Sequence, residues 1–124
     1  MDILFSAHSG VRYLVLLAGL VALAWFVWGL AAGRPFTRPA PALLAIFIRT
    51  LDIQVLLGLA LLIGGRRPPG IWGHVALMLS AMAFVHVIDK RRRRKPGYGL
   101  PLLAVAGALS LIVVGILSIG RPVL

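Results

Sequence analysis

The chain has 124 residues, of which 60% are hydrophobic and only 13% are charged, and its mean hydropathy is +1.01. This composition excludes an ordinary soluble domain, in which apolar and charged residues are more balanced, and it predicts an integral membrane protein. The net charge of +10 would suggest nucleic acid in a soluble protein, but most Lys and Arg residues here separate apolar runs, where they set topology, so we expect no nucleic-acid partner.

Four apolar runs follow one another along the chain, at about 9–32, 42–64, 71–89 and 99–119. Each is close to the ~20 residues that a membrane-spanning helix needs. Glycine and proline residues lie in all three gaps between the runs, where they favour turns. The pattern predicts an all-α fold, a four-transmembrane-helix antiparallel bundle that forms a single integral membrane domain over residues 1–124.

Basic residues are divided unequally between the two ends of this predicted bundle. The first and third gaps contain Arg34, Arg38 and the basic run 90–95. The opposite end contains Arg66, Arg67 and Arg121. Because short cytoplasmic loops carry the excess of Lys and Arg, we predict a multi-pass protein of the bacterial inner (cytoplasmic) membrane. Both termini would be outside, in the periplasm, and loops 1–2 and 3–4 would be cytoplasmic.

Polar residues within or beside the apolar runs are the candidate functional residues. They are His8, Arg12, Arg49, Asp52, Gln54, His74 and His86. Polar groups are unfavourable in hydrocarbon, so these side chains should face one another or a bound ligand. With alternating helix directions, His8 on the first helix and His74 on the third should lie at the same level.

The third helix carries a second pattern, in which His74, Met78, Met82 and His86 recur at intervals of four residues. Each step rotates by only about 40°, so the four side chains form one slowly drifting stripe, and its ends are about 18 Å apart. This separation favours two stacked sites over one shared site. Methionine at helical spacing is also typical of plain core packing.

The two outer histidines are suited to haem. Haem iron takes axial imidazole ligands from facing helices, inside an apolar pocket with cationic groups for the propionates. His8 and His74 would be the iron ligands, and Arg12, one turn below His8, would contact a propionate. With no cysteine in the chain, thiolate ligands are excluded. The open alternatives are a quinone or another redox ligand, and a structural hydrogen-bond cluster in which Arg12 reaches the lipid headgroups.

The second helix carries a further polar group near its middle. Arg49 and Asp52 are three residues apart, and the simplest interpretation is an ion pair that makes both charges tolerable in the membrane. The alternative is a proton path or a quinone-head site that involves Asp52, Gln54 and His86. Asp89 either orients His86 through a hydrogen bond or pairs with the adjacent basic run.

Three segments carry a resemblance to a known family. They are HSGVRY from His8 with the LVLL that follows, Asp52-Ile53-Gln54 with LLGL after it, and His74 with Met78 and then His86. The chain resembles, over nearly its whole length, small four-span bacterial membrane proteins loosely described as cytochrome-b-like, which implies haem b. A fainter likeness is to the haem-anchoring membrane subunits of succinate dehydrogenase. Relatives often have histidine at the position of Asp52, so the resemblance implies one haem rather than two.

We therefore expect a cytochrome-b-like membrane subunit of a respiratory or photosynthetic electron-transfer system, with b-type haem bound between transmembrane helices. The expected cofactor-binding residues are His8, His74, His86 and Arg12, with His8 and His74 on the iron. Its partners would be membrane lipid and a larger respiratory or photosynthetic complex, and we do not expect a freestanding enzyme. Two alternatives stay open: a cofactor-free accessory subunit, and a small proton-coupled transporter that uses Asp52.

Overall fold

Four long α-helices make up the protein. The computed structural model describes residues 2–120, with the backbone alone for Asp2. The helices are α1 (Asp2–Ala31), α2 (Ala40–Ile63), α3 (Ile71–Arg92) and α4 (Gly99–Ser118). Each is long and apolar enough to cross a membrane. The prediction of an all-α, four-transmembrane-helix antiparallel bundle is confirmed, and the chain is a multi-pass membrane protein.

Two helices extend beyond the predicted apolar runs by three residues or more. The helix α1 begins at Asp2 rather than at residue 9, so His8 lies in its second turn and not at its start. The apolar run marks only the continuous hydrophobic stretch, whereas short polar residues such as Ser6 and Ser9 also fit a helix. The helix α3 continues to Arg92, where Asp89 accepts hydrogen bonds from Arg92 and Arg93. Arg121 lies outside the described residues.

The bundle is built from two helical hairpins. The most extensive contacts join α1 to α2 and α3 to α4, and the hairpins meet mainly through α1 and α4. Within residues 2–120, α1 and α3 lie diagonally opposite, and none of their Cα atoms come within 8 Å of each other. Glycine allows the close approaches: a Cβ at Gly19 would meet Leu109, and a Cβ at Gly107 would meet Phe84. Small residues serve this purpose in membrane bundles because packing, rather than the hydrophobic effect, holds the helices together.

An aromatic cluster closes the end of the bundle that carries the basic loops. The ring centroids of Phe26, Phe36 and Tyr98 lie 5.1–5.8 Å apart. The Tyr98 hydroxyl donates a hydrogen bond to the Pro35 carbonyl oxygen at 3.3 Å, which ties the α1–α2 loop to the start of α4. Because this end is filled by packed rings, the space for a ligand lies nearer the other end.

The outer surface of the bundle is apolar on every helix. Large hydrophobic side chains are exposed there, including Leu17, Ile53, Val87 and Val114. Exposed apolar surface of this extent is unfavourable in water and favourable against lipid chains. The helices therefore contact membrane lipid.

Candidate cofactor-binding cavity

A cavity of about 500 Å³ lies among all four helices at the end where α1 begins and α2 ends. We call it the central cavity; its walls come from 5–15 of α1, 51–61 of α2, 71–79 of α3 and 112–119 of α4, with the loop 65–68 at one side. Its volume lies within the range of small-molecule and cofactor sites, roughly 300–1,000 Å³. Most of the lining is apolar. The polar residues of the lining are His8, Ser9, Arg12, Gln54, Arg66, Arg67 and His74.

His8 reaches the central cavity from α1 and packs against α2. A Cβ built on Gly58 would lie 3.1 Å from His8 Cε1, so the glycine makes room for the imidazole ring. One turn away, Gln54 Nε2 donates a hydrogen bond to the His8 carbonyl oxygen at 2.7 Å. The side chain of Gln54 thereby joins the α1 backbone to α2 at the level of the histidine.

His74 reaches the same cavity from α3 and packs against α4. Its Nδ1 lies 2.8 Å from the carbonyl oxygen of Gly115. Since a carbonyl oxygen only accepts, Nδ1 must carry the proton of this hydrogen bond, which in a neutral ring leaves the lone pair on Nε2. Within residues 2–120, Nε2 has no hydrogen-bond partner of its own. The backbone thus fixes the tautomer that a metal-binding histidine requires.

Two buried polar atoms of the cavity lining have no protein partner in the described residues. They are Arg12 Nε and Gln54 Oε1, and Gln54 is only 8% exposed. Arg12 uses its Nη2 to donate to the Tyr13 hydroxyl at 2.7 Å, which leaves its Nε unsatisfied. An unsatisfied buried polar group costs about 1–3 kcal/mol. Both atoms therefore favour an occupant with polar groups of its own.

Arg66 and Arg67 of the α2–α3 loop also line the central cavity, which the sequence did not predict. The guanidinium carbon of Arg66 lies 3.6 Å from the centroid of the Phe5 ring, so the loop arginine stacks on α1. In the sequence these residues are only a short basic pair between two spans, a typical topology signal. No local pattern indicates that the loop turns back over the bundle.

The deep carboxylate of α2 pairs with a histidine of α3. His86 Nε2 lies 2.8 Å from Asp52 Oδ1 and 3.1 Å from Oδ2, so its N–H donates to the carboxylate. The expected Arg49–Asp52 ion pair is wrong: Arg49 is exposed and forms no ion pair in the described part of the chain. Asp52 contacts His86 on the facing helix α3, whereas the Arg49 side chain is exposed.

The polar cluster expected from Arg49, Asp52 and Gln54 is also wrong, because the three side chains have different surroundings. Arg49 is exposed, Asp52 contacts α3, and Gln54 is buried against α1. Asp89 does not orient His86; it pairs with Arg92 at 2.9 Å and Arg93 at 3.2 Å, as the alternative interpretation had it.

The His-Met stripe of α3 divides between two environments. His74 and Met78 line the central cavity, whereas Met82 packs against the hydrophobic core. His86 does not line the cavity and is held by Asp52. A cofactor at His86 stays a prediction. In this structure the imidazole of His86 contacts the Asp52 carboxylate.

The fold and the cavity define a class of protein: a multi-pass four-helix membrane protein with a cofactor-sized space between its helices. The described residues contain no group of three or more His, Cys, Asp or Glu side chains that could hold a metal ion by themselves. No family model matches this chain, and no curated protein and no solved structure is significantly similar to it.

Proposed function

We propose that the protein is a cytochrome-b-like membrane subunit of a respiratory or photosynthetic electron-transfer system, with one b-type haem in the central cavity. The observation that carries this proposal is that His8 of α1 and His74 of α3 line one cavity of about 500 Å³. Paired imidazoles from different helices are the usual axial ligands of haem in helical bundles. A bound haem would supply reversible one-electron transfer.

The residues around the cavity fit the needs of such a group. Gly115 O holds His74 in the tautomer that leaves Nε2 able to bind iron. Gly58 leaves room beside His8. Arg12, with its unsatisfied Nε, is positioned to donate a hydrogen bond to an anionic group of the occupant, as propionates would require. The apolar walls would exclude water from the ring.

We also propose an orientation and a setting in the bacterial inner membrane. The basic residues of the α1–α2 and α3–α4 loops would be cytoplasmic, with both termini in the periplasm. The central cavity lies at the opposite end from these loops and would be nearer the periplasmic side. The loops are too short to form a soluble domain, so electrons would reach and leave the haem through a larger membrane complex.

The test is a reduced-minus-oxidised absorbance spectrum of the purified chain, produced with ample haem. We expect a b-type spectrum that is lost in His8→Ala and in His74→Ala. His86→Ala is the matched control, because it removes an imidazole that is outside the cavity, and it should keep the spectrum. Circular dichroism of each variant establishes that the helices are intact.

The same preparation decides between the haem proposal and a cofactor-free accessory subunit. A pyridine-haem assay should give about one haem per chain. A folded, colourless wild-type protein that copurifies with a larger complex would reject the haem proposal and favour the accessory role. Loss of haem in His86→Ala but not in His74→Ala would reject the proposed ligands.

A second candidate site, for a quinone headgroup, is favoured by the Asp52–His86 pair. The side chains are 26% and 50% exposed on the outside of an apolar bundle, where only a lipid-soluble molecule would reach them. A quinone has a hydrogen-bonding head and an apolar tail, which matches this position. Quinone binding in micelles should weaken in Asp52→Asn and be unchanged in Arg49→Gln; equal binding by both variants would remove this site from consideration.

A further inference from the structure

Two loop arginines, Arg66 and Arg67, line the central cavity together with the deeper Arg12. We infer that the α2–α3 loop recognises the anionic head of an amphiphilic occupant, with a carboxylate held by Arg66 and Arg67 while the apolar body lies between the helices. This inference rests on the cavity of the proposed function, but it concerns charge recognition and not iron ligation. A carboxylate amphiphile other than haem would satisfy it equally.

The charged side chains that line the central cavity are arginines. Among residues 3–120, whose side chains the structure describes, the cavity lining contains three arginines and no carboxylate. In the described residues, the only side-chain carboxylates in ion pairs are Asp52 and Asp89, and their partners lie elsewhere on α3. Guanidinium groups bind carboxylates through charge-assisted and often bidentate hydrogen bonds, which are stronger beside an apolar cavity than in open water. A carboxylate is therefore the headgroup that this lining favours.

The loop is held in a position suited to this role. Gly65 has a φ of +94°, a left-handed conformation that glycine adopts without strain, and it reverses the chain after α2. The Arg66 N–H then donates to the Leu61 carbonyl oxygen at 3.0 Å. Arg66 is exposed, and its guanidinium group stacks on the Phe5 ring of α1. A guanidinium fixed in this way loses less conformational entropy when it binds a carboxylate.

Polar groups continue into the depth of the cavity. Arg12 is seven residues beyond Phe5 on α1, about 10 Å deeper along the helix axis. Its Nε and Gln54 Oε1 are buried without a protein partner in the described residues, so this second level also has an unused donor and an unused acceptor. The preferred occupant therefore has an apolar body with an acidic head at the loop and a further polar group deeper in the cavity.

The experiment compares ligands that differ only in charge. Haemin and haemin dimethyl ester have the same ring and iron, but the ester lacks both carboxylates. We expect the wild-type protein in micelles to bind haemin about tenfold or more tightly than the ester, because a single charge-assisted hydrogen bond is strong enough to supply the corresponding difference of about 1.4 kcal/mol. In the double variant Arg66→Gln with Arg67→Gln, this preference should fall severalfold or more, with Arg12 accounting for what remains, while the affinity for the ester is unchanged.

The matched control is Arg34→Gln with Arg38→Gln, which removes the same charge from the loop at the opposite end of the bundle. It should keep the full preference for haemin. Unchanged ester binding by the Arg66 and Arg67 variant also establishes that its cavity is folded. Equal affinity of the wild type for haemin and its ester would overturn the inference and leave iron ligation by His8 and His74 unaffected.

A second ligand pair separates the two proposals if neither haemin nor its ester binds. Failure of both to bind rejects haem. Binding of a fluorescent long-chain fatty acid and of its methyl ester then tests whether the loop recognises a carboxylate. Preference for the acid that is lost when Arg66 and Arg67 are replaced would support the inference without haem. Equal binding of acid and ester, or a preference that survives in the double variant, would overturn it.

Discussion

At the scale of single residues, three polar side chains of the spanning helices obtain their partners from other helices. Gln54 donates to the backbone of α1, His74 to the backbone of α4, and His86 to Asp52 of α2. The hydrocarbon core offers no water to satisfy polar groups, so each needs a protein or ligand partner. The sequence predicted this need correctly, but it left Asp52 with two candidate partners, Arg49 and, in the alternative interpretation, His86.

The Asp52–His86 interaction should be measurable as a coupling free energy. In a double-mutant cycle of Asp52→Asn and His86→Gln, followed by reversible unfolding in micelles, we expect about 0.6 kcal/mol and at most about 1.7 kcal/mol, the range of interhelical hydrogen bonds in membranes. The control cycle pairs Asp52→Asn with Arg49→Gln and should give a coupling near zero. A larger coupling with Arg49 than with His86 would contradict the pairing described above.

At the scale of helices, glycines determine how closely α1 and α4 approach. A Cβ on Gly29 would overlap the ring of Tyr98, which is itself buried against Phe26 and Phe36. Gly10 of the same helix has no heavy atom within 4 Å of such a Cβ. The two glycines of one helix are thus distinguished by contacts that their sequence neighbours do not reveal.

Gly29→Ala should therefore destabilise the bundle, whereas Gly10→Ala should not. Overpacking against a ring that cannot move freely costs about 1–3 kcal/mol. At Gly10, alanine favours the helix by up to about 1 kcal/mol, so the variant should be neutral or slightly more stable. Unfolding of both variants in the same micelles measures the difference, and equal stability would mean that α1 and α4 are not in close contact at Tyr98.

At the scale of the whole molecule, the bundle has two dissimilar ends. One end carries the basic run and the aromatic cluster around Tyr98, and the other contains the central cavity with Arg66 and Arg67. The number of helices and their alternating direction follow from four apolar runs separated by short loops. The runs do not predict that one end of the interior is packed and the other is hollow. That division depends on which side chains meet across helices that are distant in sequence.

The orientation of the two ends can be tested directly, because the natural chain has no cysteine. Thr37→Cys places a thiol on the α1–α2 loop and Pro69→Cys places one on the α2–α3 loop, both at exposed positions. With an impermeant maleimide added to cells whose outer membrane has been made permeable, we expect labelling at position 69 alone. Position 37 should react only after the inner membrane is opened. The reverse pattern would place the central cavity on the cytoplasmic side.

The sequence by itself determined the class of this protein, because hydropathy, run length and glycine and proline punctuation act locally and need no tertiary information. It also indicated which polar residues required an explanation. Only the tertiary structure decided which of them meet: Asp52 with His86 rather than Arg49, Gln54 with His8, and the loop arginines with the cavity. These pairings depend on helix rotation and loop path, which are set by packing between distant segments and leave no periodic signal in the chain.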